Sequence, residues 1–204
     1  MIKKNKLSFV FLIITILLGS CGDNPTPKPR AFFRIDFPKK EYQLFDSTFP
    51  YMFEYPVYSE ITPDPHAPDQ PYWVNLEFPQ WKGSLHLSYK KVDDNLVNYL
   101  EDARTLANKH ISKASSIGHD LIVDRDRQLF GMEYNIHGIG VASPYQFFVT
   151  DSADHFVRGA LYFRVKPNND SLSPVIEFLK EDIDHLIKTF QWKENQSREH
   201  EKNR

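Results

Sequence analysis

SPVIEFLKEDIDHLIKTF, residues 173–190, carries the clearest helical pattern in this 204-residue chain. Its apolar side chains recur at intervals of three and four, the spacing of one helix face. They are Ile176, Leu179, Ile183, Leu186, Ile187 and Phe190. Ser173 has the side chain of an N-cap and Pro174 suits the first helical position, so the helix is predicted to begin there. Asp184 and Lys188, four residues apart, are predicted to lie on its outer side and stabilise it.

A second helical pattern predicts a helix over residues 95–111, with Asp93 or Asp94 as its N-cap. Alternation of apolar and polar residues predicts strands elsewhere. These cover residues 33–38, 53–58, 60–62, 73–78, 84–89, 117–123, 129–137, 145–150 and 156–165. Blocks of strands separated by two helices predict an α+β domain, with an antiparallel β-sheet and two main helices packed on one face.

The first 21 residues have the order of a lipoprotein signal. Three lysines precede a twelve-residue apolar run, shorter than the roughly 17 to 25 residues of a membrane-spanning helix. The run leads into Leu18-Gly19-Ser20-Cys21, which resembles the lipobox of bacterial lipoproteins, where cleavage precedes a lipidated cysteine. Cys21 is the only cysteine of the chain and is predicted to carry the lipid. The alternative is an ordinary signal peptide with Cys21 incidental.

The sequence predicts four segments. Residues 1–20 are the signal peptide, and residues 21–31 form a tether in which alternating prolines favour an extended chain. Residues 32–192 are predicted to form one α+β domain. Residues 193–204 have no apolar side chain and are predicted to be a disordered tail.

Composition excludes several classes of function. Residues 21–204 hold 22 basic and 27 acidic side chains, a formal net charge of −5, and no basic run, so no nucleic acid partner is expected. Without a second cysteine, disulfides and thiolate metal sites are excluded. No cofactor is expected either.

The histidines show neither the HExxH nor the GxSxG spacing of known catalytic motifs. His110 falls on the apolar face of the first helix and is predicted to be partly buried and hydrogen-bonded. His86 is predicted to face outward, and His185 to lie at the edge of the last helix's apolar face. Metal binding by the loop 64–69 or the turn 151–155 is the weaker interpretation, because these residues suit local turn hydrogen bonds.

Isolated acidic residues in predicted strands could form a general acid and base pair, which only their positions in space can establish. They are Asp36, Glu54, Glu77 and Glu133. Three Asp-Ser tripeptides, with Ser47, Ser152 and Ser171 at their centres, resemble acceptor sites of a bacterial O-glycosylation system. Turn chemistry is the alternative explanation for them.

Ordered blocks from Cys21 to about Trp192 resemble the gliding motility lipoprotein GldD family. After the lipobox and a Pro-Lys-Pro tether, these blocks are FRIDFP, FEYPVY, FPQWKGSLHLSYK, LEDARTLANKH, FVTDSADHFVRGALYF and PNNDSLSPVIEFLKEDIDHLIKTFQW. The resemblance implies an envelope lipoprotein required for gliding motility and the associated type IX secretion. It also suggests a fold like that of the PsbP and Mog1 proteins. Of the site residues, only Cys21 carries over.

We therefore expect a non-enzymatic component that assembles or stabilises the machinery by binding other envelope proteins. Its second partner is the membrane, through the lipid on Cys21. Gly22 is not the aspartate that retains lipoproteins at the inner membrane in some bacteria, so the expected location is the outer membrane, facing the periplasm. The alternatives are an envelope hydrolase and a small-ligand-binding lipoprotein.

Overall fold

The computed structural model of the chain describes residues 34–193. The chain divides into two units after Ile35, and the described residues lie almost wholly in the second. The predicted signal peptide, the whole of the predicted tether and all of the predicted C-terminal tail except residue 193 fall outside them.

Strands dominate the described part of the chain, as the alternating sequence patterns predict. The strands are β1 Tyr42–Phe45, β2 Tyr51–Pro56, β3 Glu60–Pro63, β4 Val74–Phe78, β5 Gly83–Lys91, β6 Ser116–Asp124, β7 Leu129–His137, β8 Tyr145–Thr150, β9 His155–Phe163 and β10 Gln191–Trp192. The helices are α1 Leu96–Asn108 and α2 Asn169–Thr189, and one 3-10 turn, Pro79–Trp81, follows β4. The predicted α+β class is confirmed.

Seven strands form one antiparallel sheet in the order β3-β4-β5-β9-β8-β7-β6. The predicted hairpin of β4 and β5 and the predicted meander of β7, β8 and β9 are both present. Strand β5 leaves its hairpin to pair along its whole length with β9, so that Leu85 lies opposite Leu161. The two edge strands are β3 and β6.

The two helices pack on opposite faces of this sheet, which corrects the prediction that they share one face. Successive residues of a strand point to opposite faces. On β8, Tyr145 bonds to Asp184 of α2, whereas Phe148 belongs to the core cluster that contains Ala103 and Ala107 of α1. Helical periodicity shows which residues of a helix are apolar, but it does not tell which face of the sheet they cover.

The larger core lies between the seven-stranded sheet and α2. It contains the fully buried side chains Leu85, Phe147, Leu161, Leu179 and Ile183. Helix α2 presents an apolar side chain to this core at nearly every turn. The burial of these side chains is the main source of the helix's stability. Each one removed from water contributes roughly 1.5 to 3 kcal/mol.

A three-stranded sheet, in the order β1-β2-β10, covers the outer end of α2. Strand β2 runs between the other two, with Leu44 of β1 opposite Glu54 and Gln191 of β10 opposite Met52. The rings of Tyr51 and Phe53, both fully buried, stack against Phe190 just after α2. The sheet is therefore held to the helix by aromatic packing.

The chain before β1 departs from the prediction. Residues 34–38 form no strand, although apolar residues alternate there. The ring of Phe37 stacks on Phe178 of α2 with the centroids 4.3 Å apart, and it also contacts Trp81. The alternation belongs to a chain segment that lies on a helix and not in a sheet. Strand β1, four residues further on, is not predicted by the sequence pattern.

Helix α2 begins earlier than the sequence predicts. Its N-cap is Asn168, whose carbonyl accepts hydrogen bonds from the backbone N–H groups of Ser171 and Leu172. Ser173 and Pro174 therefore lie inside the helix, where proline donates no backbone hydrogen bond. The prediction that Asp184 lies on the outer side with Lys188 is also wrong, because Asp184 is half-buried and accepts a hydrogen bond from the sheet.

Candidate functional site

The predicted lipid attachment residue, Cys21, lies outside the described residues, and its role stays a prediction. Neither helix within residues 34–193 has the length and apolarity needed to span a membrane. The described residues therefore form the domain alone, and lipid attachment at Cys21 is predicted from the sequence.

Two of the predicted histidines contact carboxylates. The ring of His185 stacks on Tyr42 with the centroids 3.6 Å apart, and its Nε2 lies 2.7 Å from Oε2 of Glu54. Nδ1 of His86 lies 4.0 Å from Oδ2 of Asp64. His86 is half-buried and not fully outward, and its burial lowers the pKa of its imidazole. Neither histidine stands beside a nucleophile.

Two more histidines are partly or fully buried. His110 is half-buried, as predicted, but its ring makes no hydrogen bond to any other residue in 34–193. His155, which the sequence pattern does not single out, is buried with Nδ1 2.9 Å from the hydroxyl of Tyr89 and its ring stacked on Trp192. Burial lowers the pKa of both imidazoles, so the neutral form is favoured.

The four predicted carboxylates are not brought together as an acid and base pair. Glu54 contacts a histidine, and Oε2 of Glu77 lies 2.9 Å from the guanidinium of Arg164. Asp36 is exposed in the segment before β1. Glu133, on β7, lies in a third environment that it shares with other acidic residues.

Glu133 lies in surroundings that alter the acidity of its carboxyl group. Burial raises its pKa, and the carboxylates of Asp184 and Asp120 contribute to the rise. Such a shift is what a general acid requires. However, the neighbouring hydroxyl of Tyr145 donates to Asp184 at 2.9 Å and belongs to a residue only 1 % exposed. Tyr145 and Asp184 thus form a buried hydrogen bond that joins the sheet to α2, and the Tyr145 hydroxyl is not accessible as a nucleophile.

The two loops considered for metal binding form local hydrogen bonds instead. Oδ1 of Asp151 accepts from three successive backbone N–H groups, those of residues 153–155, and Oδ1 of Asp64 accepts from the N–H of His66. Across residues 34–193 no group of three or more His, Cys, Asp or Glu side chains is placed to hold a metal ion. The turn interpretation of Asp151 and Asp64 is confirmed.

The three serines of the Asp-Ser tripeptides are exposed, at sites that differ in structure. Ser47 lies in the connection between β1 and β2, and Ser152 lies in the β8–β9 turn with a positive φ of 66°. Ser171 lies in the first turn of α2. Exposure is compatible with modification, and glycosylation of these serines stays a prediction.

A buried carboxylate ties the start of the domain to α2. Asp182, only 1 % exposed, accepts hydrogen bonds from Nζ of Lys40 at 2.7 Å, from the hydroxyl of Tyr42 at 3.0 Å and from the hydroxyl of Tyr58. Burial, and then Asp182 itself, raise the pKa of both tyrosines, so they remain donors. Because three donors satisfy this carboxylate, Asp182 stabilises the fold and is not available as a base.

A concave surface lies on the α1 face of the sheet, and we call it the edge groove. Its volume is about 530 Å³. Helix α1 and the turn after it contribute one wall, and strands β6 and β7 contribute the floor and the other wall. Residues that line it include Arg104, Asn108, Ile111, Ile117, Met132 and Tyr134.

The position of the edge groove follows from the length of α1. The helix packs Ala103 and Ala107 against the sheet and ends at Asn108, so it covers β8 and β9 but leaves β6 open. Burial raises the pKa of the Tyr134 hydroxyl, and the nearby charge of Arg104 opposes that rise. The groove thus combines apolar side chains with the phenol of Tyr134, the guanidinium of Arg104, the imidazole of His119 and small polar side chains, a composition typical of binding sites.

Sequence reasoning missed the edge groove and the exposed apolar side chains beside it. The pattern predicts a strand over residues 117–123, which is confirmed as β6, but nothing in the pattern shows that Leu121 and Val123 are 73 % and 61 % exposed. An apolar residue in a strand is expected to be covered. In the sequence, the predicted strand lies between a helix and a turn. That position does not show whether the strand lies at the edge of the sheet or inside it.

Comparison with known proteins gives one family. The family model described as gliding motility lipoprotein GldD matches residues 22–192. No curated protein matches the chain. Among solved structures, the chain is similar to the solution structure of cyanobacterial PsbP (CyanoP) from Synechocystis sp. PCC 6803, with 12 % identity, 87 % of this chain and 99 % of that chain covered, and a TM-score of 0.47. That likeness carries no functional conclusion.

Proposed function

Because the chain belongs to the gliding motility lipoprotein GldD family, we propose that it holds other envelope proteins of the gliding and type IX secretion machinery together without catalysing a reaction. Membership makes it a lipoprotein associated with the membrane through its lipid. Within the proposal, Cys21 carries that lipid, and the domain faces the periplasm from the outer membrane.

The observation that carries the proposal is the surface formed by β6 and the edge groove. Monomeric proteins expose single apolar side chains freely, but contiguous exposed apolar residues mark interaction sites. Leu121 and Val123 are exposed on the face of an edge strand that borders the groove, and Ile111, 62 % exposed, lines the groove itself. Such a surface suits a domain that works by binding another protein.

An enzymatic role is the alternative, and the Glu133 environment is the best place for it. The variants Glu133→Gln and Asp184→Asn keep the size of each side chain and remove its charge. If the protein is non-enzymatic, cells that carry either variant should glide like the wild type when the protein accumulates normally. Loss of gliding with a normally folded, normally abundant variant would favour the hydrolase.

A ligand-binding lipoprotein is the other alternative, because a groove of about 530 Å³ is large enough for a small apolar molecule. Ligand sites of that kind cover most of the ligand's surface. Native mass spectrometry of protein extracted gently from membranes would detect a retained small molecule. We expect the mass of the lipidated protein alone.

The anchor is tested by complementing a deletion strain with the wild-type gene, Cys21→Ala or Gly22→Asp. Cys21→Ala removes the acceptor of the lipid, and we expect loss of gliding and of surface adhesin export. Gly22→Asp keeps the acceptor and introduces the residue that in some bacteria retains lipoproteins at the inner membrane. Membrane fractionation of the three strains reports where each protein lies. Normal gliding in the deletion strain, or with Cys21→Ala, would contradict the proposed function.

A further inference from the structure

We propose that an extended, acidic segment of an envelope partner binds along β6 as an additional strand, with its apolar side chains in the edge groove and a carboxylate on Arg104. The inference rests on the proposed function, because it requires a protein partner in the envelope. It adds the site, the binding mode and the chemistry of the bound segment.

The backbone of β6 supplies the first reason. The strand has nine residues and pairs with β7 along its whole length. It is last in the strand order, so within residues 34–193 no strand lies on its other side. Every second residue of an edge strand directs its N–H and C=O groups away from the sheet. An added strand satisfies these groups, which is how many domains bind extended peptides.

The side chains of β6 supply the second reason. Ile117, His119, Leu121 and Val123 share the face that borders the edge groove, because side chains alternate along a strand. None of the four is lysine or proline, the residues that commonly protect an edge from pairing. The two acids of the strand, at positions 120 and 124, lie on its other face.

Neighbouring side chains extend the apolar surface. Leu121 lies opposite Met132 on β7, and Val123 lies opposite Phe130. Both β7 residues are only half-buried. Ile111 and Met132 both line the groove. A strand added at β6 would place alternate side chains over this surface, so the bound segment should alternate apolar and polar residues.

Charge around the groove indicates the polar component of the partner. Arg104 lines the groove and forms no ion pair within residues 34–193, not even with Glu101 one helical turn earlier. The cations of Arg158 on β9 and Lys113 lie near His110, two residues beyond the end of α1. An acidic residue in the bound segment would provide the missing partner for Arg104, because guanidinium binds carboxylate in a paired geometry.

Two other occupants fit less well. A lipid with an anionic headgroup could contact Arg104 and the apolar wall, but it would leave the N–H and C=O groups of the β6 edge without a partner. A second copy pairing antiparallel through β6 about its central residue would place Asp120 opposite Asp120, and like charges in that position are destabilising. A strand from a different protein avoids both problems.

The test uses the lipidated full chain in living cells, with the photoreactive residue p-benzoylphenylalanine in place of Leu121. The matched control places it at Leu44, which is also an exposed leucine of an edge strand, in the other sheet. Adducts are digested and identified by mass spectrometry. We expect Leu121 adducts to map to one segment of an envelope protein that alternates apolar residues and contains an acid. Adducts to lipid, to a second copy, or no more adduct than at Leu44 would each overturn the proposal.

Binding is then measured with that segment as a synthetic peptide and the full chain in detergent. We expect Arg104→Glu and Leu121→Lys to weaken binding at least tenfold, and Leu44→Lys to leave it unchanged. A peptide with its acid changed to lysine should regain affinity for Arg104→Glu. Hydrogen exchange should slow at β6 amides when the peptide binds, whereas side-chain docking alone would leave their exchange rate unchanged and contradict strand addition.

Gliding assays separate the failure of this inference from the failure of the proposed function. Leu121→Lys changes an exposed side chain, so the fold should be retained, and circular dichroism checks this. We expect Leu121→Lys to reduce gliding strongly, with Leu44→Lys as the control. Normal gliding by Leu121→Lys in a background where the deletion abolishes gliding overturns the inference and leaves the proposed function standing.

Discussion

Nζ of Lys40 lies 2.7 Å from Oδ1 of Asp182, a carboxylate whose side chain is completely shielded from solvent. The same ammonium donates to the carbonyl of Phe178 at 2.6 Å and lies 3.4 Å from the centre of that residue's ring. Lys40 and Asp182 are 142 positions apart in sequence. This contact joins the segment before β1 to the middle of α2.

Replacing Lys40 with methionine should lower the free energy of unfolding by about 2 to 3 kcal/mol. The buried carboxylate of Asp182 would lose its cation, although the two tyrosine hydroxyls remain. Urea unfolding of the purified protein measures the change, with Lys39→Met as the control because Lys39 is exposed. A change below about 0.5 kcal/mol would mean that the tyrosines alone satisfy Asp182.

Gly159→Ala should destabilise the protein by about 2 kcal/mol, within the range for inserting a methyl group into a packed core. The added methyl would overlap the buried ring of Phe147 on the neighbouring strand. Gly118→Ala is the control, because the nearest atom to its new methyl would be 3.8 Å away, in ordinary contact. Thermal unfolding should show a lower midpoint for Gly159→Ala and little change for Gly118→Ala. Equal midpoints would show that Phe147 can move.

Arg127→Ala should lower the free energy of unfolding by about 1 to 2 kcal/mol. Its guanidinium donates to the carbonyls of Lys188 at 2.6 Å and Phe190 at 2.8 Å, and to Asp124 at 2.9 Å. A cation at the C-terminus of a helix also interacts favourably with the helix dipole. Arg125, two residues earlier and exposed, provides the control Arg125→Ala. Urea unfolding should separate the two variants, and similar losses would contradict a specific role for Arg127.

Stability should fall as the pH is lowered through 6.5, and His155 should contribute to the fall. Burial holds the pKa of the folded protein's His155 imidazole below 6.5, the value expected in the unfolded chain. Between the folded and the unfolded pKa, the unfolded chain therefore binds more protons than the folded one. His86 and His110 have the same sign of shift. The variant His155→Gln keeps a hydrogen-bond partner for Tyr89. It should therefore make the free energy of unfolding depend less steeply on pH, without removing the dependence.

The measurement for His155 is the urea midpoint between pH 8 and pH 5. His66→Gln provides an exposed control. A His155→Gln protein with an unchanged pH dependence would show that the buried imidazole does not couple folding to protonation.

Local pattern was sufficient to predict most elements of the fold, and it failed where a distant residue decides the outcome. The strands β6 to β9 and helix α1 have clear periodicity and were found within a few residues. The alternating residues before β1 were predicted as a strand because the pattern does not show that Phe37 contacts α2 and not a strand. The sequence pattern places the start of α2 too late because proline is usual at a first helical position, whereas the N-cap is Asn168, six residues before Pro174.

The candidate site was harder to predict than the fold. A sequence shows which residues are apolar, but the exposure of Leu121 results from the point at which α1 ends and from the place of β6 in the strand order. Both are properties of the folded chain. The histidines and acidic residues considered as catalytic candidates lie apart from one another in the fold. Such residues also form hydrogen bonds within turns and in the protein interior.

The position of β10 has a consequence for how the protein reaches its folded state. Strand β2 pairs with β10 across about 139 residues of chain, and Tyr51 and Phe53 stack on Phe190. Contacts of such long sequence separation close a long loop, and that loop-closure entropy slows folding. A chain that is still being exported, or is cut before Phe190, cannot complete the small sheet. In such a chain the rings of Tyr51 and Phe53 would lack the ring of Phe190 on which they stack.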